Sequence, residues 1–354
     1  MTGDAPTALP ASLWDPASPA AAETVAQGIH CLPIPTPFAV GRVNAYLIED
    51  DPLTLLDSGP NSGRALDDLE RALNARGHRV EDLGLILVSH QHMDHVGLVD
   101  ILARRSGADV AALDLLAPWL ARYGEFQDAD DAFAGAVMAR NGIPEDTRLA
   151  LRAVSHAFRG WGARADVTRS LTPGEDITLR DRTLRVHHRP GHSPSDTVFH
   201  DAARGTLLAA DHLIKHISSN PLIARPLDAP LDDVAVARGL ERPQSLRIYL
   251  ESLAATRAMD DVRLVLPGHG QAVTDHVALI DERTRLHLRR AGRIPPLLAE
   301  EARQERDAEA DEERAARRGG RRRRNERKPA AAKIGQNIRT ARSAPNMDSS
   351  LSAL

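Results

Sequence analysis

Cysteine is almost absent. Cys31 is the only one in 354 residues, so no internal disulfide can form and a reducing compartment is expected. Aromatic side chains are scarce at 3%, while 42% of the residues are hydrophobic, so a core must be built mainly from aliphatic groups. Charge of one sign is lacking too: a formal net charge of −4 gives no global reason for nucleic-acid or membrane binding. No apolar run approaches the ~20 residues needed to cross a bilayer. Residues 1–22 are rich in Ala and Pro and lack a basic patch followed by an apolar core. They read as a flexible arm rather than a signal peptide. These absences lead to the expectation of a soluble, cytoplasmic protein with no membrane partner. The length allows one large domain or two ordinary ones.

What is present is concentrated in Ser89-His90-Gln91-His92-Met93-Asp94-His95, directly after the apolar run Leu85-Ile86-Leu87-Val88. His90, His92, Asp94 and His95 can all bind a metal, and imidazole with carboxylate suits zinc or a similar first-row ion. In an extended segment, side chains at i and i+2 point the same way, so His90 and His92 can share one ion. Asp94 and His95 lie where the chain turns into a helix, and can serve a second.

His-x-His-x-Asp-His after a buried strand resembles the metal-binding signature of the metallo-β-lactamase-fold hydrolases. The resemblance implies an α/β fold, a four-layer αββα sandwich, and four further elements. Each has a match in family order. Asp57, ending the strand Leu53–Leu56, matches the early Asp, usually a support of the metal loop rather than a ligand. His192 in Pro190-Gly191-His192-Ser193 matches the lone His. Asp211, after the apolar Thr206–Ala209, matches the residue that bridges two metals. His269 in Pro267-Gly268-His269-Gly270 matches the last His. Many antibiotic-hydrolysing members carry Cys at the bridge; Asp there is similar to the glyoxalase II-like branch. The resemblance covers roughly residues 25–275.

The rest of the chain frames these motifs. Val43–Ile48 and Leu53–Leu56 read as strands, Ala65–Ala75 as an amphipathic helix, Asp109–Leu113 as a strand, and Ile177–Leu179 with Leu184–His188 as part of a second β layer. Pro33 and Pro35 exclude Pro33–Pro37 from a central strand. The catalytic domain is placed at 23–275. Within it, 114–165 reads as a helical insertion holding six of the chain's eleven aromatics. It is either a hairpin packing on itself or a cover over the site, and the two are compatible. As a cover it offers Trp119, Tyr123, Phe126 and Phe133 as substrate contacts. Residues 276–300 read as a C-terminal helix. Residues 301–354 read as a charged, disordered tail containing Arg321-Arg322-Arg323-Arg324, through which nucleic acid could bind.

The resemblance implies a dinuclear site of two divalent ions, zinc first, with iron or manganese as alternatives. His90, His92 and His192 would hold one, Asp94, His95 and His269 the other, with Asp211 between. Such a pair makes water acidic enough to attack at neutral pH. Asp94 is also expected to orient the attacking group, the catalytic role assigned to it here. The expected reaction is hydrolysis of a small-molecule ester or thioester. A nuclease, phosphodiesterase or lactonase is the alternative within enzymes. A non-catalytic or redox metal-binding module is the alternative outside them.

Overall fold

Three short apolar strands explain how the chain stacks. In β4 (Leu85–Leu87), Leu85 and Leu87 face one way and Ile86 the other, and all three are buried. A strand alternates its side chains between faces, so a strand buried on both must be covered on both. The same holds for β10 (Thr206–Ala210) and β11 (Leu264–Pro267). The architecture follows: two sheets face each other, and helices cover the outside of each.

The computed structural model describes residues 28–231 and 243–296. The first sheet runs β1 (Ile29–Ile34), β2 (Val43–Ile48), β3 (Thr54–Leu56), β4, β5 (Asp109–Leu113) and β6 (Arg169–Leu171). The first three strands are antiparallel, and β3 to β6 are parallel. The second sheet runs β11, β10, β9 (Thr197–Asp201), β8 (Thr183–His188) and β7 (Asp176–Thr178), antiparallel except for the β10–β11 pair. Pro33 lies in β1, an edge strand, where its missing N–H costs no ladder bond on the open side.

Tyr46, Ile48, Leu56 and Leu87 from the first sheet meet Val186, Phe199, Leu208 and Leu266 from the second in the middle layer. Outside the first sheet lie α1 (Gly63–Asn74) and, after the short α2 (Met93–Val96), α3 (Val99–Ser106). Helix α1 starts because the Ser62 hydroxyl accepts from the Ala65 N–H, and it buries Ala65, Leu69 and Leu73 at helical spacing. Helix α3 stops at Gly107, whose left-handed φ of 73° lets its N–H reach the Ala103 carbonyl. Outside the second sheet lies α7 (Ser245–Arg257), packing Tyr249 and Leu253 against Val198, Leu207 and Val265.

The connection from β5 to β6 carries α4 (Ala117–Ala121), α5 (Tyr123–Arg140) and α6 (Glu145–Phe158). The loop at Asn141–Pro144 separates α5 from α6. The described residues divide into two units at Ile280/Asp281, inside α8 (His276–Ala291). The expected N-terminal arm at 1–22 and charged tail at 301–354 lie outside the described residues. No helix among the described residues is long and apolar enough to cross a membrane.

Candidate metal centre

Five strands end at one edge of the sandwich, and each delivers a polar group there. Asp57 follows β3, the His90–His95 stretch follows β4, His192 follows β8, Asp211 follows β10, and β11 leads into Gly268-His269. Parallel pairing of β3 with β4, and of β10 with β11, brings these carboxyl ends side by side. This is where an α/β sheet naturally collects a site. The register of β10 shifts between Leu208 and Ala210, and Ala210 takes a φ of 42°. The kink aims Asp211 out of the strand and into the site.

All seven residues singled out as ligands come together in two groups. His90, His92, His192 and Asp211 form one; Asp94, His95 and His269 form the other. Within each group the donor atoms lie within 4.8 Å of one another. Asp211 faces both groups: one of its oxygens lies 3.5 Å from His192 Nε2 and 3.4 Å from His269 Nε2, the other 3.5 Å from His95 Nε2. Asp94 lies 3.3 Å from His269 Nε2.

The imidazoles are turned inward by what holds their backs. His269 donates through Nδ1 to the Arg42 carbonyl at 2.8 Å, and His192 through Nδ1 to the Asn220 carbonyl at 3.1 Å. His95 Nδ1 meets the Asp57 carboxylate at 2.7 Å. The Ser89 hydroxyl donates to Asp57 at 2.7 Å, which leaves its oxygen to accept from His90 Nδ1 at 2.9 Å. Four rings therefore keep Nε2 toward the centre. His92 is the exception. Its Nδ1 points inward, 3.0 Å from His90 Nε2 and 2.9 Å from His192 Nε2. Outer partners of this kind fix tautomer and orientation at metal sites.

A cation fits this arrangement. His95 Nε2 and Asp211 Oδ1 are buried and face each other at 3.5 Å without a hydrogen bond to any group. Burial, reinforced by neighbouring His192, pushes His92 down to about 3. Burial, with His95 and His92 close by, also takes His90 well below its ordinary value. Their lone pairs are therefore free for coordination. On the other side burial would lower His269 and His95, but the Asp211 carboxylate reverses this and raises both. Burial would raise Asp211, yet His269 and His95 hold it well below the usual carboxylate range. Positive charge is thus favoured between these groups. Space is reserved as well: a Cβ on Gly268 would stand 2.2 Å from Asp211 Oδ1 and 2.9 Å from His95 Cε1.

Several supports were missed in reading the sequence. Asn44 donates its side-chain amide to the carbonyls of Pro267 at 3.0 Å and Gly270 at 2.9 Å, and Tyr46 donates to Pro267 at 2.7 Å. Together they fix the His269 turn from β2. Ser195 donates to Gln91, tying the His192 turn to the His90–His92 stretch. Polar residues inside an apolar strand such as β2 are the clue that could have found Asn44 and Tyr46. The Arg42 and Asn220 contacts are backbone carbonyls and leave no trace in the sequence.

The four aromatics offered as substrate contacts are placed differently. Trp119, Tyr123, Phe126 and Phe133 are all buried. Trp119, Tyr123 and Phe126 belong to the core outside the first sheet, and Phe133 packs on Val137. Trp119 Nε1 donates to Asp130 at 3.1 Å, and Tyr123 donates to the Arg159 carbonyl at 2.9 Å. Their area goes into seating the insertion, because a helical crossover must bury an apolar face of its own. The insertion nonetheless reaches the site's border: Trp161 O accepts from the Asn61 N–H, and its carbonyl stands against Gly97 just after α2.

A cleft of about 270 Å³ opens beside the centre. Gly191 and Ser193, on either side of His192, form one wall. Leu222, Ala224 and Leu227 from the loop after β10 form another, with Leu115, Ile248 and the polar Arg225, Asp228 and Ser245 also in the lining.

A two-sheet sandwich with helices outside and a His/Asp centre at the strand ends defines a metal-dependent hydrolase class, and comparison with known proteins agrees. The family model described as "Metallo-beta-lactamase superfamily" matches residues 39–269, and the chain belongs to that superfamily. "Probable metallo-hydrolase YqjP" of Bacillus subtilis (strain 168) is 30% identical over 257 residues, 73% of this chain and 76% of the relative. A metallo-beta-lactamase family protein from Thermus thermophilus superposes with a TM-score of 0.60 at 25% identity, covering 74% of this chain and 80% of that one. A short stretch of 69 residues is 35% identical to "Exodeoxyribonuclease WalJ" of Streptococcus pneumoniae, 20% of this chain and 24% of the relative.

Proposed function

We propose that the protein hydrolyses a small-molecule ester or thioester, using two divalent metal ions held in the centre described above. Zinc is the first choice, and iron or manganese suit the same His/Asp donor set. His90 Nε2, His92 Nδ1 and His192 Nε2 would hold one ion. Asp94, His95 Nε2 and His269 Nε2 would hold the other, with Asp211 shared between them. Such ions supply Lewis acidity toward a carbonyl oxygen and lower the pKa of bound water.

The chain's own residues supply the rest. Asp57, Ser89 and the carbonyls of Arg42 and Asn220 fix which nitrogen of each ring faces inward. Asp94 uses its carboxylate to orient the attacking water as well as to ligate. The acyl carbon–oxygen or carbon–sulfur bond breaks, water adds to the acyl carbon, and the alcohol or thiol leaves with a proton. The observation that carries the reading is the pair His95 Nε2 and Asp211 Oδ1, two buried atoms able to ligate a metal that face each other at 3.5 Å without a hydrogen bond.

A panel of chromogenic esters, thioesters and phosphodiesters, given to metal-loaded protein, tests this. Turnover of esters or thioesters well above phosphodiesters is expected. The reverse order supports a nuclease or phosphodiesterase, the second reading, whose one point of contact is a 69-residue match covering 24% of that relative. In that case full-length protein should also bind DNA with a steep salt dependence. Faster opening of lactones than of open-chain esters would make it a lactonase. No hydrolysis by fully metallated protein would leave a non-catalytic or redox module.

A further inference from the structure

We propose that the cleft beside His192 is the subsite for an aliphatic acyl chain of the substrate. The inference rests on the ester or thioester reading, but it stands on different residues.

The cleft adjoins the metal centre at one residue. His192 turns Nε2 toward the centre and donates from Nδ1 to the Asn220 carbonyl. The backbone on either side of it, Gly191 and Ser193, lines the cleft, and so does Leu222, two residues beyond Asn220. The opening thus lies directly behind one of the proposed ligands.

The lining chooses the chemistry. Leu115, Leu222, Ala224, Leu227 and Ile248 present aliphatic surface, and prolines fill much of the remainder. Arg225 also borders the cleft, but its guanidinium is committed. It pairs with Asp130 at 3.0 Å, donates to the Ala229 carbonyl at 2.7 Å and lies over the Phe126 ring. Its Nη2 has no partner but is itself buried away from solvent. Two of its three nitrogens are held within the protein, and a hydrocarbon entering the cleft leaves both bonds in place.

Exposed apolar residues gather on the same segments. Leu115, in the lining, is left open to solvent, as are Ile223 and Leu246, each next in sequence to a lining residue. Apolar side chains grouped around an opening mark a binding surface more often than scattered ones do. Size sets the limit. At about 270 Å³ the cleft is slightly below the range of about 300–1,000 Å³ that holds a whole ligand. It therefore takes one arm of the substrate while the leaving group stays outside.

The test uses metal-loaded, full-length protein and two readouts. The first is the specificity constant for a series of esters of one alcohol, from acetate to octanoate. Each buried methylene is worth about 0.8 kcal/mol, so a rise of about three- to fourfold per added carbon is expected until the cleft is full. Ala224→Trp, on the loop that lines the cleft, should abolish this rise while metal content stays unchanged. Ile248→Ala should shift the optimum to longer chains. The second readout is calorimetric binding of octanoate against butyrate, which needs no turnover. Octanoate should bind more tightly, and Ala224→Trp should remove the difference. A flat chain-length series with no preference for octanoate overturns the acyl subsite while leaving ester hydrolysis intact. Tight octanoate binding blocked by Ala224→Trp, in a protein that hydrolyses no ester or thioester, overturns the hydrolase reading while leaving the subsite.

Discussion

Asp57 holds His95 at 2.7 Å through Nδ1, and the same carboxylate receives the Ser89 hydroxyl at 2.7 Å and the Ser89 N–H at 2.9 Å. One buried carboxylate thus orients an imidazole from each half of the centre, His95 directly and His90 through Ser89. It does so from a left-handed backbone, φ 58°, which Asp and Asn adopt more readily than other non-glycine residues.

Asp57→Ala should therefore lower metal affinity or activity by about 10–100-fold, the usual effect of removing an outer partner. Asp211→Ala should cost more, because it removes a donor facing both groups. Metal content of the two purified variants, measured side by side, checks the order. Equal two-metal occupancy in wild type and Asp211→Ala would show that Asp211 does not bridge.

Gly268→Ala should empty the centre without unfolding the protein. The added methyl would stand 2.2 Å from Asp211 Oδ1, so the carboxylate must move off the position from which it meets His95 and His269. Loss of bound metal with an unchanged circular dichroism spectrum is the expected outcome. A variant that keeps full metal content would mean that Asp211 has more freedom than its burial suggests.

Acid stability should depend on a contact at the other end of β2. Asp50, just after that strand, accepts from the Asp51 N–H at 2.8 Å, the Asp181 N–H at 3.0 Å and Arg182 Nε at 3.2 Å, linking the two sheets. Burial would raise its pKa, but these donors outweigh that and hold it below the ordinary value. A carboxylate depressed in the folded state stabilises it above the unfolded pKa, about 3.9, and that contribution fades as pH falls through the lower folded value. Wild type should lose stability in this window. Asp50→Asn should be weaker at pH 7 and should lose less below pH 4. Parallel denaturation midpoints for the two proteins between pH 6 and 3 would contradict the argument.

Most of the candidate donors were legible because they follow apolar strands, whose ends are visible as a change from Val, Leu and Ile to Gly, His or Asp; His192 follows the polar strand β8 and was matched through the resemblance instead. The layers were legible for the same reason in β2, β3, β4, β10 and β11. Strand β6 (Arg169–Leu171) was not, since three residues with one buried leucine leave no period to read. Sequence also could not tell a buried aromatic from an exposed one. Trp119 and Phe126 lie in a helical segment whose density of rings suits a substrate cover and a packing face equally well. The structure places them in the packing face. The cleft drew on Leu115, Leu222 and Ile248, ordinary aliphatic residues more than a hundred positions apart at the extremes, which meet only through the fold.

The most direct test of the account is a metal titration of the stripped, full-length protein, following ester hydrolysis and elemental content together. The proposed two-metal centre requires activity to vanish on chelation and to return as zinc, manganese or iron is added, reaching its plateau at two equivalents per chain. Full activity in protein shown by elemental analysis to be metal-free, or a plateau at one equivalent, would contradict it.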